Sequence, residues 1–179
     1  MGAQEHEQRA QEAVGGAIRC AIITISDTRT PETDTSGAAI RAALTEAGHQ
    51  IERYAITPDE PTQIVALVRE LVAAGCQVII TNGGTGIAKR DSTFEAIDSL
   101  LEKRLPGFGE LFRMLSYNDI GSAAMLSRAT AGLLGDTVIF SLPGSTNAVR
   151  LGLEKLILPQ LAHLVWELMR QQPQTAKEG

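Results

Sequence analysis

Several short runs gather glycines, hydroxyls and acids at places where the chain must turn. The most informative is Asn82-Gly83-Gly84-Thr85-Gly86, followed by Lys89-Arg90-Asp91. Three glycines let backbone N–H groups approach an anion closely, and Thr85 adds a hydroxyl that can donate to phosphate oxygens. No Gly-Lys-Ser/Thr closes the run, so it is not a Walker A loop, and its spacing is not that of the dinucleotide fingerprint. A tight strand-to-helix turn needing positive φ is the plain alternative. Pro143-Gly144-Ser145 opens a second turn, where free N–H groups at a helix start attract phosphate or carboxylate. Ser145 or Thr146 acts there as an N-cap under either reading.

Two acids stand close to these runs. Asp59 precedes Pro61 and suits a helix cap, and Asp91 borders Ser92 of a capping-box pattern, Ser92-Thr-Phe-Glu95. If the glycine loop binds phosphate, two carboxylates beside it repel the ligand. A divalent cation resolves that conflict, because magnesium takes one or two carboxylates together with substrate phosphates. Ser127-Arg128 offers a guanidinium as an anion fork, with solvation or an inter-subunit ion pair as the alternative. Arg113 is a further polar candidate. Ser26-Asp27-Thr28-Arg29 and Asp34-Thr35-Ser36-Gly37 complete the set.

The elements that must position these residues alternate regularly. Cys20 to Ser26 is a short β-branched run, a buried strand. Thr35 or Ser36 then caps a helix carrying Ile40, Ala43, Leu44 and Ala47 on one face, stopped by Gly48. Ile51 to Ile56 alternates as a strand. Pro61 opens a helix with Ile64, Val65, Leu67, Val68, Leu71 and Val72, ended by Gly75. Val78 to Thr81 is a third strand. Helices are expected from Ser92 to about Leu101 and over Gly109–Ser116, and from Leu151 to Met169 with a break or kink at Pro159. Two apolar segments around Gly135-Asp136 read as an antiparallel edge hairpin. Strand–helix alternation of this kind predicts a three-layer α/β/α sandwich with a mostly parallel sheet. In such sheets ligands bind beyond the carboxyl ends of the strands, and the runs at 26–37, 57–60, 81–91 and 141–147 follow strands, whereas Arg128 lies between a helical region and an apolar segment. Residues 1–16 read as a flexible N-terminal arm, 17–170 as the α/β domain and 171–179 as a disordered tail.

Composition narrows the function classes. The 179 residues are 44% hydrophobic and 21% charged, a globular profile of one-domain length. Sixteen Lys and Arg against 21 Asp and Glu give a net charge of −5, which provides no basic footprint for nucleic acid. Apolar runs break well before membrane-spanning length. Cys20 and Cys76 are read as small buried hydrophobes, and His6, His49 and His163 share no metal spacing with them. With no secretory or myristoylation pattern at the N-terminus, a cytoplasmic protein is expected.

Six ordered motifs carry a family resemblance. Thr24-Ile-Ser-Asp-Thr28, Asp34-Thr-Ser-Gly37, Thr81-Asn-Gly-Gly-Thr-Gly86 with Arg90-Asp91, Leu105-Pro-Gly-Phe-Gly-Glu-Leu-Phe-Arg113, Leu126-Ser-Arg-Ala129 and Leu142-Pro-Gly-Ser145 resemble the molybdopterin-binding family of MoaB/MogA type, from about residue 19 to about 168. The resemblance implies a mostly parallel α/β domain assembled as a homotrimer or dimer of trimers. It implies a step in molybdenum cofactor synthesis, in which molybdopterin is adenylylated from Mg-ATP with release of pyrophosphate. Ser26, Asn82, Gly83, Gly84, Thr85, Gly86, Ser127, Arg128, Pro143, Gly144 and Ser145 would then bind molybdopterin and its phosphate. Asp59 and Asp91 would support Mg2+ and catalysis, with ATP as co-substrate. Some family members bind without adenylylating. A non-catalytic molybdopterin-binding or scaffold role, in contact with other cofactor-synthesis proteins, is therefore the alternative.

Overall fold

The computed structural model describes residues 15–171, so most of the expected arm and tail lies outside the described residues. Six strands form one sheet in the order β2-β1-β3-β6-β5-β4. They are β1 (Arg19–Ile25), β2 (Gln50–Thr57), β3 (Val78–Asn82), β4 (Lys103–Arg104), β5 (Thr130–Leu134) and β6 (Thr137–Leu142). The first three and β6 run parallel, while β5 and β4 are antiparallel additions at one edge. Among the described residues there are six α-helices: α1 (Thr35–Glu46), α2 (Pro61–Ala73), α3 (Thr93–Leu100), α4 (Pro106–Ile120), α5 (Thr146–Gly152) and α6 (Leu158–Gln171).

Period-two alternation along the strands divides the core into two layers. Ile22, Ile80 and Phe140 pack with Ile40 and Leu44 of α1, Phe108 and Phe112 of α4, Val149 of α5 and Leu161 of α6. Ile23, Ile79 and Ile139 pack on the opposite face with Ile64 and Val68 of α2 and Ile97 of α3. Each such side chain contributes roughly 1.5–3 kcal/mol by leaving water, so near-continuous apolar runs in β1, β3 and β6 specify burial on both faces. The three-layer sandwich and the antiparallel hairpin are as the sequence predicts. Cys20 and Cys76 are buried free thiols, and burial pushes the Cys20 thiol up to about 12. No described helix is long and apolar enough to cross a membrane.

Four local expectations are corrected. The N-cap of α1 is Asp34, not Thr35 or Ser36; its Oδ1 accepts from the Gly37 N–H at 2.9 Å. The Ser92 capping box does not form, because the Ser92 hydroxyl donates to Asp59 instead. The helix predicted over Gly109–Ser116 runs from Pro106 to Ile120, since Pro106 is accommodated at its first turn. The last helical stretch starts at Thr146 rather than Leu151, and the break expected at Pro159 takes the form of a π-helical turn over Leu153–Ile157. Pro159 lacks an N–H and crowds the carbonyl four residues back, and a widened turn just before it relieves that conflict. Strand β4 escapes the sequence pattern altogether: Lys103 and Arg104 are both exposed, so no apolar alternation marks them.

Candidate active site at the carboxyl ends of the parallel strands

The loops after β1, β2, β3 and β6 meet at one end of the sheet. Gly83 and Gly84 take φ of 99° and 61°, the left-handed region that β-carbons disfavour. Space enforces the same choice. A Cβ on Gly83 would lie 2.2 Å from the Ile25 carbonyl oxygen, and one on Gly84 would lie 1.8 Å from Thr93 Oγ1. The Gly83 N–H donates to Leu142 O at 3.1 Å, which ties the glycine loop to the end of β6. Gly144 lies against Gly83, since a Cβ on Gly144 would meet Gly83 Cα at 3.1 Å. The two glycine turns are thus in direct contact.

Both predicted acids border this loop. A Cβ on Gly84 would come within 2.7 Å of Asp59 Oδ2, and one on Gly86 within 2.4 Å of Asp91 Oδ2. Asp59 does not cap α2, whose N-cap Glu60 makes no side-chain bond. Its Oδ1 instead accepts from Ser92 Oγ at 3.1 Å, Thr93 Oγ1 at 3.0 Å and, at 3.4 Å, the Ser92 N–H, all at the start of α3. Its Oδ2 is buried with no hydrogen-bond partner. Asp91 Oδ2 accepts from the Ala88 N–H at 3.0 Å, leaving Oδ1 uncommitted. Asp27 spans the opening: its Oδ1 accepts from the Asp59 N–H at 3.2 Å, and its Oδ2 pairs with Arg90. Asp27, Asp59, Lys89, Arg90 and Ser92 line a cleft of about 350 Å³.

The unpartnered Asp59 oxygen provides a test of whether a cation fits. Among the described residues, no three of His, Cys, Asp and Glu gather closely enough to hold a metal ion. A cation here therefore draws on at most the Asp59 and Asp91 carboxylates and completes its shell from ligand oxygens, which is the donor set magnesium takes with phosphates. Asp59 lines the cleft and Asp91 does not, so the fit to such an ion rests on the unpartnered Asp59 oxygen. Other orphaned acceptors lie nearby in the fold: Asn82 Oδ1, Thr81 Oγ1 and Ser141 Oγ are buried without partners at the ends of β3 and β6.

The remaining predicted residues divide between scaffold and cleft. Ser26 Oγ accepts from the N–H groups of Thr28 and Arg29 at 3.2 and 3.1 Å, folding the loop after β1. Ser145 caps α5, accepting from the Ala148 N–H at 3.3 Å. Arg128 is heavily committed: it donates to the carbonyls of Thr85, Gly86 and Asp91 and to Glu95, and its guanidinium lies 5.0 Å over the Phe94 ring. The bond from Arg128 holds the Glu95 carboxyl below its ordinary value. Arg128 fastens the glycine loop from outside, so the open anion fork read from the sequence is not seen. Ser127 and Arg128 line a second cleft of about 320 Å³ with Arg113, and Ser145 a third of about 430 Å³ with Arg150. A hollow of about 310 Å³ beside Cys76 and Gln77 opens at the other end of the sheet, away from all of these.

A buried network that the sequence reading missed links the loops. Asp34 is 1% exposed and accepts from Tyr54 OH at 2.6 Å and from Arg29 Nη1 at 3.0 Å. Burial opposes its ionisation, but hydrogen bonds from Thr24, Tyr54, the Gly37 N–H and Arg29 outweigh that and hold its carboxyl below the usual value. Burial and the bond to Asp34 push the Tyr54 phenol up to about 12. The available signal was Thr24, a polar residue inside an otherwise apolar strand.

Known proteins share this outline. Residues 21–163 match the family described as "Probable molybdopterin binding domain". Molybdenum cofactor biosynthesis protein B of Bacillus cereus is 52% identical over 177 residues, covering 96% of this chain and all of that one. A crystal structure of molybdenum cofactor biosynthesis protein B superposes with a TM-score of 0.85 at 54% identity, covering 87% of this chain and 98% of the other. The tungsten cofactor synthesizing protein MoaB from Pyrococcus furiosus superposes with a TM-score of 0.77 at 38% identity, covering 85% and 97%. The chain belongs to the molybdopterin-binding-domain family of molybdenum cofactor biosynthesis proteins.

Proposed function

We propose that the protein adenylylates molybdopterin with Mg-ATP. An oxygen of the molybdopterin phosphate forms a bond to the α-phosphorus of ATP, the α–β bridging bond breaks, and pyrophosphate leaves with the electron pair. The attacking phosphate is already ionised, so the protein supplies alignment and charge neutralisation rather than a strong base. N–H groups of Gly84 to Gly86 and of the Pro143-Gly144-Ser145 turn cradle phosphate oxygens, the Gly83 N–H being held by Leu142, with Ser127 lining an adjoining cleft. Arg128 acts by holding the glycine loop in shape. Bound at Asp59 and Asp91, Mg2+ would offset phosphate charge. Lys89 and Arg90 line the same cleft and add positive charge.

The observation that carries this reading is Asp59, whose Oδ2 is buried, unpartnered and beside the glycine loop. The experiment is incubation with molybdopterin and Mg-ATP, assaying pyrophosphate and adenylylated pterin, with Asp91→Asn as control. Product that requires pterin, magnesium and Asp91 supports the transferase. Pterin binding without product places the protein in a non-catalytic binding role. The structural work already done by Asp59 Oδ1 and Arg128 favours that second reading, because both have a reason to be present without turnover. A homotrimer or dimer of trimers, a cytoplasmic setting and contact with other cofactor-synthesis proteins belong to the same proposal.

A further inference from the structure

We infer that Arg29 is a positioning residue that sets the two glycine turns in register with each other; this rests on those turns forming the phosphate cradle proposed above. The guanidinium reaches two loops at once. Nη1 donates to Asp34 Oδ1 at 3.0 Å and to Ser36 Oγ at 3.2 Å, while Nη2 donates to the Gly144 carbonyl at 3.1 Å. Ser36 Oγ donates to the same Gly144 oxygen at 2.9 Å. Two donors from the β1–α1 segment therefore fix one carbonyl of the turn after β6.

The other end of the chain of contacts reaches the glycine loop. Thr24 lies between Asp34 and Asn82: its hydroxyl and the Asp34 carboxylate both border Gly37, and its Oγ1 accepts from Asn82 Nδ2 at 2.9 Å. Asn82 is the residue before Gly83, and Thr24 and Asn82 are register partners across β1 and β3. Gly144 touches Gly83 directly. Arg29 thus holds Gly144, and through Asp34 and Thr24 it braces the stem of the loop that Gly144 packs on.

Helix capping alone does not account for this arrangement. An uncharged Ser, Thr or Asn caps a helix as well as an Asp does. A carboxylate with a fully buried side chain is costly to desolvate, and its Arg29 partner is 29% exposed. What the charge adds is a fixed guanidinium with a planar fork, able to serve an acid and a carbonyl together. A lysine ammonium in its place cannot span both.

The test compares Arg29→Ala, Arg29→Lys and Ser36→Ala in the full chain, using pyrophosphate as the calorimetric probe. It adds amide hydrogen exchange over residues 83–86 and 144–148. Losing a charged hydrogen bond should weaken pyrophosphate about tenfold or more in Arg29→Ala. Exchange should accelerate in both turns together, and Arg29→Lys should fail to restore either. Added methylguanidinium should recover the affinity of Arg29→Ala, which a general loss of structure would not allow. In the transferase assay KM for molybdopterin should rise more than kcat falls. Ser36→Ala, which removes a donor without stranding a charge, should loosen the same two turns to a smaller degree. If Arg29→Ala or Ser36→Ala folds with both turns protected as in the wild type, or if only one turn loosens, the inference is wrong. A wild type that binds no pyrophosphate would sink the proposed reaction, while the exchange comparison still decides the coupling of the turns.

Discussion

The two oxygens of Asp59 have different neighbours, and a pair of substitutions separates their work. Oδ1 organises the start of α3 through Ser92 and Thr93, while Oδ2 is buried and unpartnered beside Gly84. Asp59→Asn keeps an acceptor for α3 but removes the charge that a cation needs. Its turnover is expected to fall by about a hundredfold or more with Tm close to wild type. Asp59→Ala should in addition lose roughly 1–2 kcal/mol of stability, as a helix does when its capping acceptor is removed. Paired assay and thermal melts check this; equal stability loss in both variants would mean that the carboxylate charge itself is structural. Gly84→Ala belongs to the same scale. Its added methyl faces Thr93 Oγ1 at a 1.8 Å distance in a left-handed backbone, so about 2 kcal/mol or more of destabilisation is expected, read by urea melts.

At the level of elements, α1 and β2 are joined by a charge whose titration predicts a pH profile. Asp34 has a folded-state value below its ordinary one, so its contribution is complete above that ordinary value of about 3.8 and fades as pH falls through the lower folded one. Tyr54 is raised to about 12 from 10.0, so its contribution is complete below pH 10.0 and is lost as pH climbs toward 12. Stability from this pair should therefore be flat through neutrality and fall at both extremes. Asp34→Asn should flatten the acid limb and cost about 2–4 kcal/mol at neutral pH, because it strands Arg29 beside an uncharged partner. Tyr54→Phe should flatten the alkaline limb and also shrink the acid one, because it removes one of the hydrogen bonds that hold Asp34 low. Denaturant melts between pH 3 and 12 test both limbs. The same pair shows what the sequence makes legible. Strands β1 and β3 announce themselves because both faces are buried, and α2 because Pro61 and its apolar stripe agree. The glycine loop and both acids are legible because each lies just past the carboxyl end of a parallel strand. Asp34–Arg29–Gly144 stays hidden because its partners are up to 115 positions apart and only tertiary packing brings them together. Arg128 is misread for a related reason: nothing local reveals that distant carbonyls consume its donors.

For the whole molecule, the surface is uneven in a way that bears on assembly. Leu111, Met114, Tyr117 and Ile120 on α4, with Met125 and Leu126 in the adjoining 3₁₀ turn, are all exposed. They stand close together along one stretch of chain, whereas monomeric proteins rarely show contiguous apolar patches of more than a few hundred Å². An interface core is built from such residues, with Met and Tyr favoured and charge kept to the rim. The family resemblance implies a trimer or a dimer of trimers, and this face supplies the apolar area that such an assembly would bury. Met114 is 56% exposed and lines none of the clefts described above, so its replacement separates assembly from chemistry. Met114→Glu places an unpaired carboxylate in the patch, and stranding a charge there costs several kcal/mol against association. Sedimentation velocity at micromolar concentration should show the wild type as a multiple of the 19.1 kDa chain and the variant shifted toward the single-chain mass, with its far-UV spectrum unchanged. A wild type that sediments as a single chain, or a variant that keeps the wild-type mass, would remove this face from the interface. If dissociation also abolishes pyrophosphate binding, the cradle depends on assembly; if binding survives, the cradle is complete within one chain.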